Sequence, residues 1–186
     1  MEEHFDFNVS NTGEILYSGC YDAVNRGPHL IEYTLTKERL ESEKVKRPAA
    51  EFTQDRDGGV LQELLTEHGY SLPTHGDYTR SGYDRGHMAP NGDFNNTTEN
   101  SLATFFTANI WPQTPNVNRK TWLATENRTR LLAKEYSKVI VIIIVDDFSD
   151  KTVNSISVPS VFKRRVYNAE TNELIYEIDI KQEPLP

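Results

Sequence analysis

Apolar and polar side chains alternate through residues 14–36, EILYSGCYDAVNRGPHLIEYTLT, on both sides of a central NRGP. Period-two alternation around a Gly-Pro turn predicts a β-hairpin, with strands near 14–23 and 29–36. The stretch KERLESEKVKRPAAEF is a charged connector. Pro48 stops a helix from running through it, because proline lacks a backbone donor and clashes with the preceding turn. In DGGVLQELLTEHGY, Val60, Leu61, Leu64 and Leu65 share one helical face, and Gly69 is placed to cap the end. A loop follows, and residues 81–88 read as a short strand leading out of it. Threonines in NNTTEN cap a short helix at about 98–102. The apolar run after it predicts a strand through about 104–110. From Asn118 to about Tyr136 the period is helical again, with Trp122, Leu123, Leu131 and Leu132 as its apolar positions. VIVIIIV at 139–145 is short and β-branched, as a buried strand would be. SISVPSVFKRRVYNAETNELIYEIDI adds further strands joined at AETNE. The sum is an α+β fold: a mostly antiparallel central sheet with flanking helices, and a strand–loop–strand–helix unit over about 80–137.

The bulk properties narrow the class. A chain of 186 residues can bury well over half of its unfolded surface, enough for one domain with a proper core. Nothing approaches the run of about 18 apolar residues that a membrane span needs, so no membrane partner is expected. The start, MEEHFDFNVSNTGE, has neither the basic opening nor the apolar run of a signal peptide. Two expectations follow from that: a cytoplasmic or bacteriophage-encoded protein, or the mature form of an exported one. Cys20 is the only cysteine, so no internal disulfide and no multi-cysteine zinc site can form. It reads as a small buried or half-buried residue.

The net charge of −8 argues at first against a polyanionic partner, but the acid is concentrated at the ends. Residues 1–24 carry five acids and no Lys or Arg. Residues 166–186 carry five acids against Lys181. Within the near-neutral middle, residues 116–138 hold six cations against two acids, and KRR at 163–165 adds three more. A polyanion can therefore dock locally, with an affinity that falls as salt rises.

The candidate chemistry begins at SGYDRGHMAPNGDF, residues 81–94, where Asp84, Arg85 and His87 crowd around Gly86. Cleaving a phosphodiester needs a base to activate water, a group to neutralise charge on the phosphate and a group to stabilise the leaving oxygen. A neutral imidazole suits the first task, arginine suits phosphate, and Mg²⁺ suits a site with few protein oxygens because it keeps most of its waters. Gly86 removes a Cβ and so permits close approach of backbone or phosphate. Downstream, Asn118, Trp122 and Glu126 fall at i, i+4 and i+8, which keeps the Asn and the Glu on neighbouring helix faces. Asn118 would sit in the first turn, at the positive end of the helix dipole. Taken singly, each has a plain structural reading. His87 is then a satisfied loop residue, Asn118 a helix cap, Glu126 a surface ion-pair partner of Arg128 and Arg130, and Trp122 core packing.

Together, SGYDRGHMAP (81–90), TFFTANIWPQ (104–113) and NVNRKTWLATE (116–126) resemble, in order and separation, the DNA/RNA non-specific endonucleases of the ββα-metal finger nuclease superfamily. RPAAEFTQD (47–55) is similar to that family's lead-in and YTLTKERL (33–40) to its early strand, so the resemblance covers roughly residues 14–165. It implies a single nuclease domain over 1–186 with a ββα-metal motif at about 80–137. It also implies Mg²⁺ as cofactor, with Mn²⁺ as a substitute. His87 would be the general base, and Asn118 the one direct protein ligand of the metal. Glu126 would orient the metal's waters, Arg85 contact phosphate, and Arg47 stabilise the transition state or leaving group. Asn109 would hold the loop geometry and so orient His87 or Asn118, and Asp84 would tether the finger. DNA and RNA would be substrates, cut with little sequence preference to 5′-phosphate ends, and an inhibitor protein would be a further partner. The chain departs from the family pattern after the 139–145 strand, where DDFSDK replaces the usual Thr-Gly-Pro-type turn, and in a reduced C-terminal part. Two alternatives stay open: a DNA-only or site-preferring relative, and a catalytically silent nucleic-acid binder. Oligomeric state is open as well.

Overall fold

The computed structural model describes residues 3–186; the first two residues of the acidic N-terminus lie outside the described residues. Its strands are β1 (His4–Asn11), β2 (Glu14–Asp22), β3 (Gly27–Thr36), β4 (Asp84–His87), β5 (Ile110–Gln113), β6 (Lys138–Ile144), β7 (Phe148–Val153), β8 (Ile156–Pro159), β9 (Val161–Asn168) and β10 (Leu174–Lys181). The helices are α1 (Lys37–Glu41), α2 (Val60–Glu67), α3 (Thr98–Ala103) and α4 (Trp122–Tyr136). Six strands form one sheet in the order β1-β2-β3-β6-β9-β10, and every neighbouring pair is antiparallel. The α+β class expected from the sequence is the one observed.

Period-two side-chain geometry explains how the sheet meets the core. Phe5, Phe7 and Val9 of β1, Ile31, Tyr33 and Leu35 of β3, and Val139, Val141 and Ile143 of β6 are all buried on one face. The apolar run at 139–145 suggests a strand buried on both sides. Instead Ile140, Ile142 and Ile144 are only half-buried on the opposite face. β1 was not anticipated, because its acidic and polar half-pattern masks the buried Phe5, Phe7 and Val9.

Other boundaries shift for local reasons. The predicted strand at 104–110 is displaced: residues 107–109 form a 3₁₀ turn and the strand occupies Ile110–Gln113. The strand expected over 81–88 is confined to Asp84–His87, since only those residues find partners on β5. The short helix α1 lies at the start of the charged connector and ends well before Pro48. In α2, Leu61 and Leu65 are buried but Val60, at the helix start, is exposed. In α4 the buried face consists of Trp122, Thr125, Glu126, Thr129, Leu132 and Ala133, whereas Leu123 and Leu131 are exposed. The face of α4 that meets the sheet is thus partly polar.

Three contacts hold the β4–β5 pair and α4 against the sheet. Trp111 of β5 is fully buried and donates Nε1–H to the Pro28 carbonyl at 2.7 Å. Gly27 beside it has no room for a Cβ, which would overlap the Trp111 ring. From α4, Trp122 packs its ring on Phe162 of β9, with centroids 5.6 Å apart. The C-terminal segment supplies the third contact. Buried Gln182 donates to the carbonyls of Pro112 (3.1 Å) and Pro159 (2.9 Å) and accepts from Thr114 N–H (2.9 Å). This segment clamps β5 to the β8–β9 turn. Gln182→Ala leaves buried carbonyls and an N–H without partners, so it should lower stability by about 1–3 kcal/mol in a urea or guanidinium titration. A loss near zero would show that the clamp is dispensable.

Candidate active site

The site forms where the short β4–β5 pair meets the start of α4. His87 ends β4 opposite Ile110, and its backbone carbonyl accepts a long 3.3 Å hydrogen bond from Trp122 Nε1. The chain enters α4 through a wider π-type turn, Val117–Thr121, which carries Asn118. Asn118 donates Nδ2–H to Asp84 Oδ2 at 2.9 Å, so the first residue of β4 and the turn that leads into α4 are bonded directly.

His87 is nearly sealed. Its ring lies between Phe52 and Phe105, with centroids at 5.0 and 5.3 Å, and its Nε2 is buried with no partner. Burial first, and the nearby Arg47 charge second, lower its pKa to about 3. The imidazole is therefore neutral near pH 7. Glu126 is displaced in the other direction. Burial raises its pKa to about 7, with Arg164 and Arg130 pulling it back and Asp93 adding to the rise. Read singly as a surface ion-pair partner of Arg128 and Arg130, Glu126 does lie beside Arg130, but it is buried in the face that α4 turns toward the sheet and not on the surface.

The groups around Glu126 form a buried network. Tyr33 donates its hydroxyl to Asp93 at 2.7 Å, and Asp93 accepts from Arg130 Nε at 2.6 Å. Arg130 Nη2 lies 3.7 Å from Glu126 Oε2. Arg164 of β9 is fully buried, with its guanidinium 4.4 Å over the Trp122 ring and Nη1 bonded to Thr129 Oγ1.

A cleft of about 330 Å³ is lined by Arg47, Arg85, His87, Asn91, Asn118, Leu123, Glu126 and Arg130. A second, about 500 Å³, shares Arg47, Arg85 and Asn118 with it and continues past Phe52, His75, Tyr83, Asp84 and Arg119. A larger hollow of about 740 Å³ lies away from this chemistry, along β2, β3 and α1. Of the residues singled out in sequence, His87, Arg85, Arg47, Asn118 and Glu126 come together. Arg85 is partly committed, since its Nη2 donates to the His75 carbonyl at 2.7 Å and to Thr79 Oγ1 at 3.3 Å. Asn109 stands behind the cleft. It accepts from Ala89 N–H at 2.8 Å and donates to the carbonyls of Ala89 and Thr104, fixing the turn after His87 without bonding the His87 or Asn118 side chain.

Other expectations are corrected. The space over Gly86 belongs to the protein, because a Cβ there would overlap the Gln113 side chain. Of the KRR cations, Lys163 is paired with Asp146, Arg165 with Glu177 and Asp179, and Arg164 is buried, so none is presented to a polyanion. The sequence offers Arg130 only as an ion-pair partner of Glu126 and does not mark Asp93. Arg130 stands four residues after Glu126, the same helical step that links Asn118, Trp122 and Glu126, and that spacing was the available signal. Nothing local marks Asp93, which pairs across 37 residues of chain.

Among the described residues, no group of three or more His, Cys, Asp or Glu is arranged to hold a metal ion. The donor set here is different: an amide oxygen from Asn118 and one buried carboxylate from Glu126. The Nδ2 bond to Asp84 leaves the amide Oδ1 for the cleft. A single oxygen ligand with a carboxylate behind it fits a small hard cation that retains its waters.

The family model for DNA/RNA non-specific endonucleases matches residues 1–184. A nuclease from Nostoc sp. is 45% identical over 65 residues, which is 35% of this chain and 24% of that protein. Mitochondrial endonuclease G of Homo sapiens is 31% identical over 125 residues, 67% of this chain and 39% of that protein. The matched stretches are thus well under half of these relatives. A solved structure of the EndoG/EndoGI complex, described as showing the mechanism of EndoG inhibition, superposes with a TM-score of 0.73 at 27% identity, covering 98% of this chain and 75% of that one.

The buried imidazole has a measurable consequence. The unfolded chain protonates His87 below about pH 6.5, the folded chain only near about pH 3. Between those values protons favour the unfolded state, so stability should fall on acidification by up to about 1.4 kcal/mol per pH unit from this group. Glu126, with its raised pKa, acts in the opposite sense and cancels when variants are compared. Denaturant titrations between about pH 4 and pH 7 should show a shallower loss on acidification for His87→Gln than for the parent. Identical slopes would count against a buried neutral imidazole.

Proposed function

Because the chain belongs to the DNA/RNA non-specific endonuclease family, we propose that it is a metal-dependent endonuclease that hydrolyses phosphodiester bonds of DNA and RNA with little sequence preference. The observation that carries this reading is one cleft in which a neutral imidazole faces three arginines, an amide and a buried carboxylate. Asn118 and Glu126 are the residues that would hold the cation, Mg²⁺ or Mn²⁺ in its place. When bound, the cation supplies Lewis-acid neutralisation of the phosphate and of the leaving oxygen.

The side chains account for the remaining tasks. With Nε2 buried, Nδ1 of His87 is the ring nitrogen left to accept a proton from water. The water oxygen forms the new bond to phosphorus as the P–O3′ bond breaks; the leaving 3′-oxygen takes a proton from solvent, which gives a 5′-phosphate and a 3′-hydroxyl. Arg47, uncommitted to any ion pair among the described residues, and Arg85 contact phosphate oxygens. Asn109 keeps the turn after His87 in place. Contacts of this kind read the backbone and carry no base information, which accounts for weak sequence preference. A protein that covers the same cleft would inhibit the enzyme, and an inhibitor of that kind is the second partner class we propose; the EndoG/EndoGI complex supplies the parallel.

Closed circular DNA and single-stranded RNA should both be degraded in Mg²⁺, and EDTA should abolish both reactions. Untouched RNA would narrow the substrate to DNA, discrete DNA bands would indicate site preference, and binding without cutting in Mg²⁺ or Mn²⁺ would overturn the catalytic reading. His87→Ala should cut about 10²–10⁴-fold more slowly while still binding DNA in an anisotropy titration. Near-parental cleavage would remove His87 as the base.

A further inference from the structure

Asp84 is shared between two partners. Its Oδ2 accepts from Asn118 Nδ2 and from Arg119 Nε, each at 2.9 Å, and its Oδ1 accepts from Arg119 Nη2 at 2.9 Å. The Arg119 fork thus engages both carboxylate oxygens, the geometry that best fixes a carboxylate in orientation as well as position. The pair joins β4 to the turn that opens α4, across 35 residues of chain.

The orientation matters because of Asn118. An amide presents an oxygen acceptor on one side and an NH₂ donor on the other, and the two ends are nearly the same size. Turned by half a rotation, Asn118 would offer the cleft a donor, which a cation rejects. An ionised carboxylate only accepts, so Asp84 takes the NH₂ end and leaves Oδ1 for the cleft. Asp84 can make that selection only while its own carboxylate is held, and Arg119 is what holds it.

We propose that Arg119 is a positioning residue: acting through Asp84, it keeps the Asn118 amide oxygen directed at the cation site. This rests on the reading of Asn118 as the metal ligand. Arg119 also lines the outer cleft and its side chain is 67% exposed, so the competing role is direct contact with a substrate phosphate.

Mn²⁺ binding to the full chain, followed by the electron paramagnetic resonance signal of free Mn²⁺, separates these roles without turnover. Arg119→Ala should weaken Mn²⁺ binding by about 10-fold, as loss of a residue supporting a metal ligand commonly does. Asp84→Asn should do the same. The double variant should lose no more than the worse single one, because both changes break one chain of bonds. Arg119→Lys, which keeps the charge without the fork, should fall between parent and alanine, and it carries the test if the alanine variant melts early. The melting temperature of Arg119→Ala should stay close to the parent, since an exposed pair contributes little to stability. Unchanged Mn²⁺ affinity in Arg119→Ala, with Asn118→Ala weakened, would overturn the positioning role alone. Additive losses in the double variant would overturn the route through Asp84. A reduced salt dependence of DNA binding with Mn²⁺ affinity intact would assign Arg119 to phosphate instead. If Asn118→Ala itself binds Mn²⁺ as the parent does, the metal-ligand reading fails first and separately.

Discussion

The Trp122 indole couples the chemistry to the core. Its ring is fully buried against Phe162 and the Arg164 guanidinium, and its one donor reaches back to the carbonyl of His87. A buried indole N–H left without an acceptor would carry a desolvation cost, so the bond and the burial enforce one another. The consequence is geometric. Helix α4 cannot shift along the sheet without moving the end of β4, and the residues one turn on either side of Trp122 keep their places relative to His87. Asn118 and Glu126 are those residues.

Burial then sets the electrostatics. Desolvation acts on both titratable groups and always disfavours the charged form, so it lowers the histidine and raises the glutamate. The arginines act within that frame. Arg47 reinforces the neutrality of His87, while Arg164 and Arg130 oppose the protonation of Glu126. Asp93 secures Arg130 from below and is itself held by Tyr33 on the central sheet. A chain that is acidic overall thus presents a cationic cleft, because the arginines of four separate segments converge there while many of its acids lie near the two ends of the chain. The cations at 163–165 illustrate the converse: adjacent in sequence, they are neutralised by neighbouring strands or enclosed in the core.

The short segments that build the site are braced from far along the chain. Strand β5 is tied to the sheet by Trp111 through Pro28, and to the C-terminal segment by Gln182 through Pro112 and Thr114. The backbone N–H of Leu185 reaches the Tyr83 hydroxyl at 2.7 Å, just ahead of β4. A four-residue strand pair has little stability of its own, and these contacts supply what its length cannot.

Local patterning determined much of this protein in advance. Alternation located β2 and β3, helical period located α2 and α4, and a β-branched run located β6, because side-chain direction is fixed by the backbone repeat. The resemblance carried by the segments at 47–55, 81–90, 104–113 and 116–126 selected His87, Arg85, Arg47, Asn118 and Glu126, and the fold gathers all five into one cleft. Tertiary structure decided what short-range pattern does not encode. It placed β1 despite its polar character, moved the 104–110 strand to Ile110–Gln113 by a 3₁₀ turn, and buried Thr125, Glu126 and Thr129 on the face that α4 turns toward Arg164. It also paired Asp93 with Arg130 and Asp84 with Arg119 across more than thirty residues each. Pairings of that kind depend on which elements pack together, and packing is a property of the whole chain.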